Sequence, residues 1–455
     1  MKGSVTFAEA LIGCHDVELM HESALDLLGA DADAALRAVK LAPGGVTLAG
    51  RDVEFDVVLD RGACVLAAGG AATRVLSLDG SSVRDATLDD LANACCVADS
   101  LPEVGFLYGP PVSPSDVTIS CQIRTCLEQS AKHLQLVGLS DSTDAQTVVG
   151  VAEAWDVGAR NGRTRPRFSL CTDADGVASA IVFARAGLPV ALSLGPREPL
   201  APDASLGTVL AHHHAGVLAA CRLIQEEVPG AAFIYAPPSL PVNSGQVSTS
   251  TSTILGLGAA MLAQKVGLPV AVISMVSAAA VPGWRACTDK ALASLPVAGV
   301  GGASVLGAGA LEWGATFSLQ QLVMDAEVFS WNRRIGAGIP INDDAIAVQE
   351  IRTVGIGGNH LARRHTRQRM RDVWRPRLLD RSAWDAWEES GKRGSEAKAV
   401  EVAVEALSSR RVLRIPESVE AVLRADESRR SAAANESGAY ERCVRPPVGR
   451  REGVS

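Results

Sequence analysis

A chain of 455 residues exceeds the usual size of one domain, yet it suits a single α/β barrel with terminal additions. It is 47% hydrophobic, 21% charged and only 4% aromatic, which supplies ample small apolar side chains for a core, and its net charge of −8 argues against nucleic-acid or membrane-surface partners, which require a concentrated basic face. The first residues, MKGSVTFAEALIGCHDVELMHES, mix acids and histidine into their apolar stretch, and no apolar run reaches the roughly eighteen residues of a membrane span, so the chain reads as cytoplasmic.

Taken in chain order, residues 1–85 read as a small α+β lead-in. Helix 88–99 then precedes a strand at 105–108, helix 122–129 precedes a strand at 134–138, and residues 167–171 add another strand. Two later joints have the same form. Helix 176–185 ends in Ala186-Gly187-Leu188-Pro189 and feeds strand 190–194, and helix 253–265 ends in Val266-Gly267-Leu268-Pro269 and feeds strand 270–275. Glycine stops each helix and proline prevents its continuation.

Between those joints lies a third unit, helix 207–227 and strand 231–235, which implies a period near 40 residues per unit. Helix 287–295, strand 303–306 and helix 319–333 complete the series. The strands are continuous apolar runs, as expected of strands buried on both faces. Seven strands in this alternation predict a (β/α)8 TIM-like barrel over 86–390 with an N-terminal α+β lead-in and a C-terminal helical extension at 391–430. An open doubly wound sheet is the alternative, but no glycine-rich phosphate turn follows a strand. From 431 to 455 the composition is that of a disordered tail.

Ten cysteines are scattered without a C-x-x-C pair, so they read as reduced, mostly buried thiols. His212, His213 and His214 are adjacent, and on a helix adjacent side chains diverge by about 100°, so no metal site is expected there.

Residues 355–391 read GIGGNHLARRHTRQRMRDVWRPRLLDRSAWDAWEESG. With Gly357-Gly358, His365-Thr366, Trp374-Arg375-Pro376 and Leu378-Leu379-Asp380-Arg381, this segment resembles the C-terminal signature of the trimethylamine methyltransferase family. Val112-Ser113-Pro114-Ser115-Asp116-Val117 resembles the family's loop after an early barrel strand, and Leu322-Val323-Met324-Asp325 with Glu327 resembles its late helix. The resemblance implies a barrel enzyme that moves a methyl group from a small methylated amine to the cobalt of a corrinoid carried by a partner protein, with no metal held by the chain itself. Members acting on trimethylamine carry pyrrolysine, which is absent here, so a quaternary amine is the expected substrate. Barrels of this type commonly self-associate, and a homo-oligomer is a further expectation.

A quaternary ammonium releases a neutral amine when its methyl carbon is attacked, so the protein need supply only a dry pocket, a wall that holds the cation, and alignment. Ring faces attract such cations and a carboxylate balances their charge. The aromatic residues that follow barrel strands are Tyr235, Trp284, Trp313 and Phe317, and these are the candidate substrate-binding residues. Glu312 beside Trp313 is the candidate carboxylate, and His365 in the signature is a candidate for the pocket mouth. The competing readings are loop packing for Trp284 and Trp313 and helix capping for His365. Trp374, Arg375, Arg377, Asp380 and Arg381 read as a structural lattice, and the arginines of 363–371 as a solvated helix face or a dock for an acidic corrinoid protein.

The rival function is a degenerate homologue that keeps the barrel as a binding or scaffold protein, suggested by the altered loops Ser277-Ala278-Ala279-Ala280-Val281-Pro282-Gly283-Trp284 and Ala236-Pro237-Pro238-Ser239-Leu240-Pro241. An aldolase-like lyase would need a strand-end lysine or a metal-binding cluster, whereas Lys265 and Lys290 fall in helices.

Overall fold

In a computed structural model the described residues are 17–60, 62–139, 141–156, 165–195, 206–238, 248–301, 303–370 and 373–437. Helices α1 (Val17–Leu28) and α2 (Ala32–Lys40) lead into a hairpin of β1 (Val46–Leu48) and β2 (Val57–Leu59). Eight parallel strands then close into a barrel: β3 (Cys64–Ala68), β6 (Val104–Tyr108), β7 (His133–Val137), β8 (Phe168–Thr172), β9 (Val190–Leu192), β10 (Phe233–Tyr235), β11 (Val270–Ile273) and β12 (Ala303–Ala308). The expected barrel is therefore present. Its eighth strand, β3, falls inside the segment that the sequence assigns to the lead-in, and it pairs with β12 on one side and β6 on the other.

The outer layer is built from α3 (Leu88–Ser100), α4 (Ile119–Gln129), α5 (Ser142–Trp155), α6 (Val177–Arg185), α7 (Leu206–Glu227), α8 (Thr249–Val266), α9 (Trp284–Val300) and α10 (Leu319–Gly336). Local chemistry sets their ends. Thr87 and Asp90 form a reciprocal capping box on α3, and Ser248 and Ser318 cap α8 and α10. At the two matching joints Gly187 and Gly267 take φ of 73° and 78°, while Leu188 and Leu268 donate back to Phe183 and Ala263 at 3.0 Å. The following prolines leave their carbonyls for the sheet: Leu170 donates to Pro189 and Tyr235 to Pro269. One short motif thus ends a helix and starts a ladder.

Strand parity divides the core in two. Leu66, Leu134, Phe168, Val190, Phe233, Val270 and Val305 face the helices, whereas Ala67, Phe106, Tyr108, Cys171, Ala191, Ile234, Ala271 and Leu306 face the barrel axis. The β1–β2 hairpin joins the axial cluster through Val46, Leu48 and Leu59 and plugs the end where the strands begin. Gly105 makes this fit possible, since a Cβ there would lie 2.4 Å from Val65 and 3.1 Å from Val57. At the other end a small sheet of β4 (Arg74–Leu76), β5 (Val83–Asp85), β13 (Ala310–Leu311) and β14 (Thr316–Phe317) flanks the mouth.

Beyond α10 come three short helices, α11 (Asp343–Ile346), α12 (Val348–Val354) and α13 (Arg364–Arg369), then α14 (Trp384–Glu389), α15 (Ser395–Ser408) and α16 (Glu417–Ser437). The last packs across α4 and α5 through charge. Asp426 is 1% exposed and accepts from Thr147 at 3.0 Å, from Ser120, and from Arg429 and Arg430 at 2.8 and 2.6 Å. Arg124 of α4 donates to Glu420 and Glu427. α16 runs past residue 431, where composition suggested a tail, and residues 438–455 lie outside the described part. Cys64, Cys95, Cys96, Cys126, Cys171, Cys221 and Cys287 are free thiols. No helix among the described residues is long and apolar enough to cross a membrane.

Two outcomes follow. Gly187→Ala meets no atom within 4 Å, so its cost is conformational, about 1–2 kcal/mol in denaturant unfolding, whereas Gly105→Ala must also displace Val65 and costs more than that. For Asp426, burial works to raise the carboxyl pKa but is outweighed by Arg430, Ser120 and Thr147, which hold it below the ordinary value. Its contribution is therefore complete above about pH 4 and fades as pH falls through the folded pKa. Asp426→Asn should cost about 3 kcal/mol at neutral pH, and the gap to wild type should narrow in acid-range melts.

Candidate active site at the barrel mouth

None of the eight barrel strands contains a charged residue, so any charge at the C-terminal mouth must come from the loops above it. The loops after β9 and β10, residues 196–205 and 239–247, include part of the altered Ala236–Pro241 stretch and lie outside the described residues. What remains is built mainly from β6, β8, β11, β12 and the small flanking sheet.

Tyr108 ends β6, faces the axis and is 8% exposed. Its phenol shares a hydrogen bond with the Cys171 thiol from β8; burial raises the pKa of both groups, the thiol to about 12. Below it lies a polar layer in which His133 Nε2 meets Ser169 Oγ at 2.8 Å and Gln135 donates to the same oxygen at 3.2 Å. Burial pushes His133 down to about pKa 3, so the ring is neutral.

Glu312 and Trp313 do sit on this rim, in the turn between β13 and β14. They take φ of 47° and 58°, left-handed values that cost a non-glycine residue about 1–2 kcal/mol each, and Gly314 continues the run at 97°. Two backbone hydrogen bonds hold the turn: Glu312 N–H donates to Ala279 at 3.1 Å and Trp313 N–H to Ser277 at 2.9 Å. The alanine-rich loop after β11 is thus a clasp, and its small side chains allow the approach, with Ala279 packed beside Leu76, Ala286 and Leu311. The Glu312 carboxylate accepts from Arg74 of β4 at 2.8 Å and from Thr316. Its charge is already balanced.

Behind the rim lies a buried ion pair. Lys290 of α9 donates to Asp325 of α10 at 2.6 Å, both fully enclosed, and Asp325 also accepts from Gly309 N–H and Gln321 at 2.7 Å each. Gly309 leads from β12 into the Glu312 turn, so the pair fixes the root of the strained segment. Burial pushes Lys290 down and Asp325 up, and each restrains the other.

The other expected site residues lie elsewhere. Tyr235 has the wrong parity for the mouth: it faces the helix layer, fully buried, with its phenol 3.1 Å from His214 Nδ1. His214 Nε2 meets His21 of α1 at 2.9 Å, and His213 Nδ1 meets the Leu194 carbonyl at 2.6 Å, so these histidines serve packing. Phe317 is 2% exposed and fills the space beside Gly309, where a Cβ would lie 2.4 Å from its ring. Trp284 opens α9 and is 85% exposed to solvent.

His365 belongs to an excursion rooted at the opposite face of the barrel, and its Nε2 meets the Asp344 carbonyl at 2.9 Å within that excursion. Of the signature residues, Trp374 stacks on Trp331 and donates to Ser330 at 2.8 Å, while Asp380 holds Lys398 and Ser382. Glu327 accepts from the Arg377 backbone at 2.9 Å. These are structural contacts. Asp116 is exposed. Among the described residues no group of three or more His, Cys, Asp or Glu side chains is placed to hold a metal ion.

Fold and site define a (β/α)8 barrel with strands free of charge and a strained carboxylate-bearing turn beyond their C-terminal ends. A family model described as trimethylamine methyltransferase matches residues 26–435. The trimethylamine methyltransferase MttB of Methanosarcina barkeri is 31% identical over 398 residues, 83% of this chain and 80% of the relative. The MttB of Desulfitobacterium hafniense is 28% identical over 404 residues, 85% and 81% of the two chains, and a glycine betaine methyltransferase from the same species is 27% identical over 367 residues, 77% and 76%. The chain belongs to the trimethylamine methyltransferase family.

Lys290→Met should cost about 3–5 kcal/mol in denaturant unfolding because it strands a buried carboxylate, and adding Asp325→Leu should recover part of that loss. A simple sum of the two single-variant losses would show that the residues do not act as a pair.

Proposed function

We propose that this chain takes a methyl group from a small quaternary ammonium compound and delivers it to a corrinoid carried by a separate protein, in a cytoplasmic setting. The observation that carries the reading is Tyr108, an axis-facing aromatic at the C-terminal end of β6 in a barrel whose strands bear no charge. Such a wall attracts an alkylammonium through the ring quadrupole while excluding water, and it offers no base on which a substrate proton would have to reside. The relatives support a methylated amine, two being named for trimethylamine, a tertiary amine, and one for glycine betaine, a quaternary one.

The chain's own work is binding and alignment. Cys171 orients the Tyr108 phenol, and the Arg74–Glu312 pair gives the rim a fixed dipole with little net charge. This suits a zwitterion, whose carboxylate and ammonium both need partners, better than a bare cation. Trp313, half-buried on the same turn, is the second ring available to the ammonium. The corrinoid would supply a nucleophilic cobalt that accepts the methyl group, reaching the substrate at the C-terminal ends of the strands. The amine leaves neutral, so no side chain need donate a proton.

Calorimetric titration with glycine betaine, carnitine and choline tests the reading. Tyr108→Leu should weaken the binding of the preferred compound by about 3- to 30-fold and Tyr108→Phe should largely retain it. Mixing with the corrinoid protein and substrate should then change the corrinoid's visible spectrum. No binding of any member of the set, with an unchanged spectrum, would favour the scaffold reading instead.

A further inference from the structure

Resting on the alkylammonium reading of the mouth, we propose that Asp325 and Asp289 are positioning residues for substrate binding, acting from behind the rim by holding the Glu312–Trp313 turn in its left-handed conformation. Strain is concentrated at this point of the molecule. Among the described residues five non-glycine residues have positive φ, and three of them, Ala71, Glu312 and Trp313, lie in the two segments that bring Arg74 and Glu312 together. At about 1–2 kcal/mol for each such residue, a turn built this way relaxes unless its surroundings hold it.

Two grips hold it, and both trace to one turn of α9. The first is the clasp, in which the carbonyls of Ser277 and Ala279 accept from the backbone of Trp313 and Glu312. That loop is itself fixed by the Ser277 hydroxyl, which accepts from Ala279 N–H at 3.0 Å and donates to Asp289 at 2.6 Å. The second grip is the root. Gly309 N–H donates to one oxygen of Asp325, and the same oxygen takes the Lys290 ammonium. Asp289 and Lys290 are neighbours in α9, so one stretch of helix governs the strained turn from both sides. Gly309 also closes the hairpin, its carbonyl accepting from Ser318 N–H at 2.9 Å, so a shift of Gly309 is passed to both strands that carry the turn.

Packing of α9 on α10 does not explain this arrangement. A helix contact needs only well-fitted apolar side chains, and a buried ion pair replaced by them often loses no stability. What a leucine cannot replace is the acceptor for Gly309, whose buried N–H must then move or remain unpaired. The charge is therefore dispensable and the acceptor is not. An asparagine at 325 keeps the acceptor, and its amide N–H can be taken by Gln321 Oε1, which is buried without a partner among the described residues.

Two double variants separate these roles. Lys290→Met with Asp325→Asn keeps an acceptor for Gly309, and Lys290→Met with Asp325→Leu does not. In calorimetry well below the melting temperature, the leucine pair should bind the preferred quaternary compound about tenfold more weakly than wild type, and the asparagine pair should stay within about threefold. Fluorotryptophan labelling reads the turn without substrate: the Trp313 fluorine resonance, assigned with Trp313→Phe, should keep its position in the asparagine pair and shift or broaden in the leucine pair. Ser277→Ala, which releases the other grip, should move the same resonance and weaken binding about threefold or more, whether or not the double variants fold. The proposal is overturned if the two pairs bind alike, as tightly as wild type or equally weakened, or if Ser277→Ala leaves the resonance in place. A wild type that binds no quaternary compound sinks the substrate reading, and the fluorine spectra still decide whether Asp325 sets the turn.

Discussion

Closure of the barrel at the seam between β12 and β3 is the constraint from which the rest follows. Because the strands meet in a ring, each is buried on both sides, and none carries a charged side chain. A charge facing the axis or the helix layer would have to be desolvated at a cost of several kcal/mol. Charge is therefore pushed to the ends and the outer helices: to Glu312 and Arg74 at the mouth, to the Lys290–Asp325 pair wedged between two helices, and to the Asp426 lattice under α16. The strand ends at the mouth are left without charge, and the charged groups sit on the turn and sheet that flank it.

The strained turn at Glu312 depends on the same closure. Two consecutive left-handed non-glycine residues persist only where the surroundings over-determine them. Here the loop after β11 grips the turn from one side, and Asp325 pins Gly309 at its root from the other. The alanine-rich loop, which in the sequence looked like a departure that weakens function, is the part whose smallness lets the two backbones meet.

Much of this fold was legible in the sequence because glycine and proline mark the helix-to-strand joints so clearly. β3 was harder to see. CVLAA is short and built largely of small residues, and it is followed by the β4–β5 hairpin before the next helix, so it breaks the period of about 40 residues that reveals the later units. The rim position of Glu312 and Trp313 was legible, because a loop places them, whereas Tyr235, placed by a strand, turns away from the axis. An apolar run buried on both faces has no alternation to show which side chains face the axis, and one step of parity separates Tyr235, facing His214, from Ala236, facing the barrel. Tyr108 was hidden by the same ambiguity. His365 was misplaced for another reason, since nothing local says at which end of the barrel an excursion from α10 takes root.

The seam also bears on how the chain acquires its structure. Cys64 pairs with Ala303, so the final ladder joins residues separated by most of the barrel's length. Long-range parallel pairing is slow, because the entropy of closing the intervening chain is lost before any contact rewards it. During synthesis β3 can find β6 early, but its other edge stays open until β12 emerges, and over that interval it is a template for the wrong strand. The small side chains of β3, which lower its affinity for any partner strand, make that wait less hazardous.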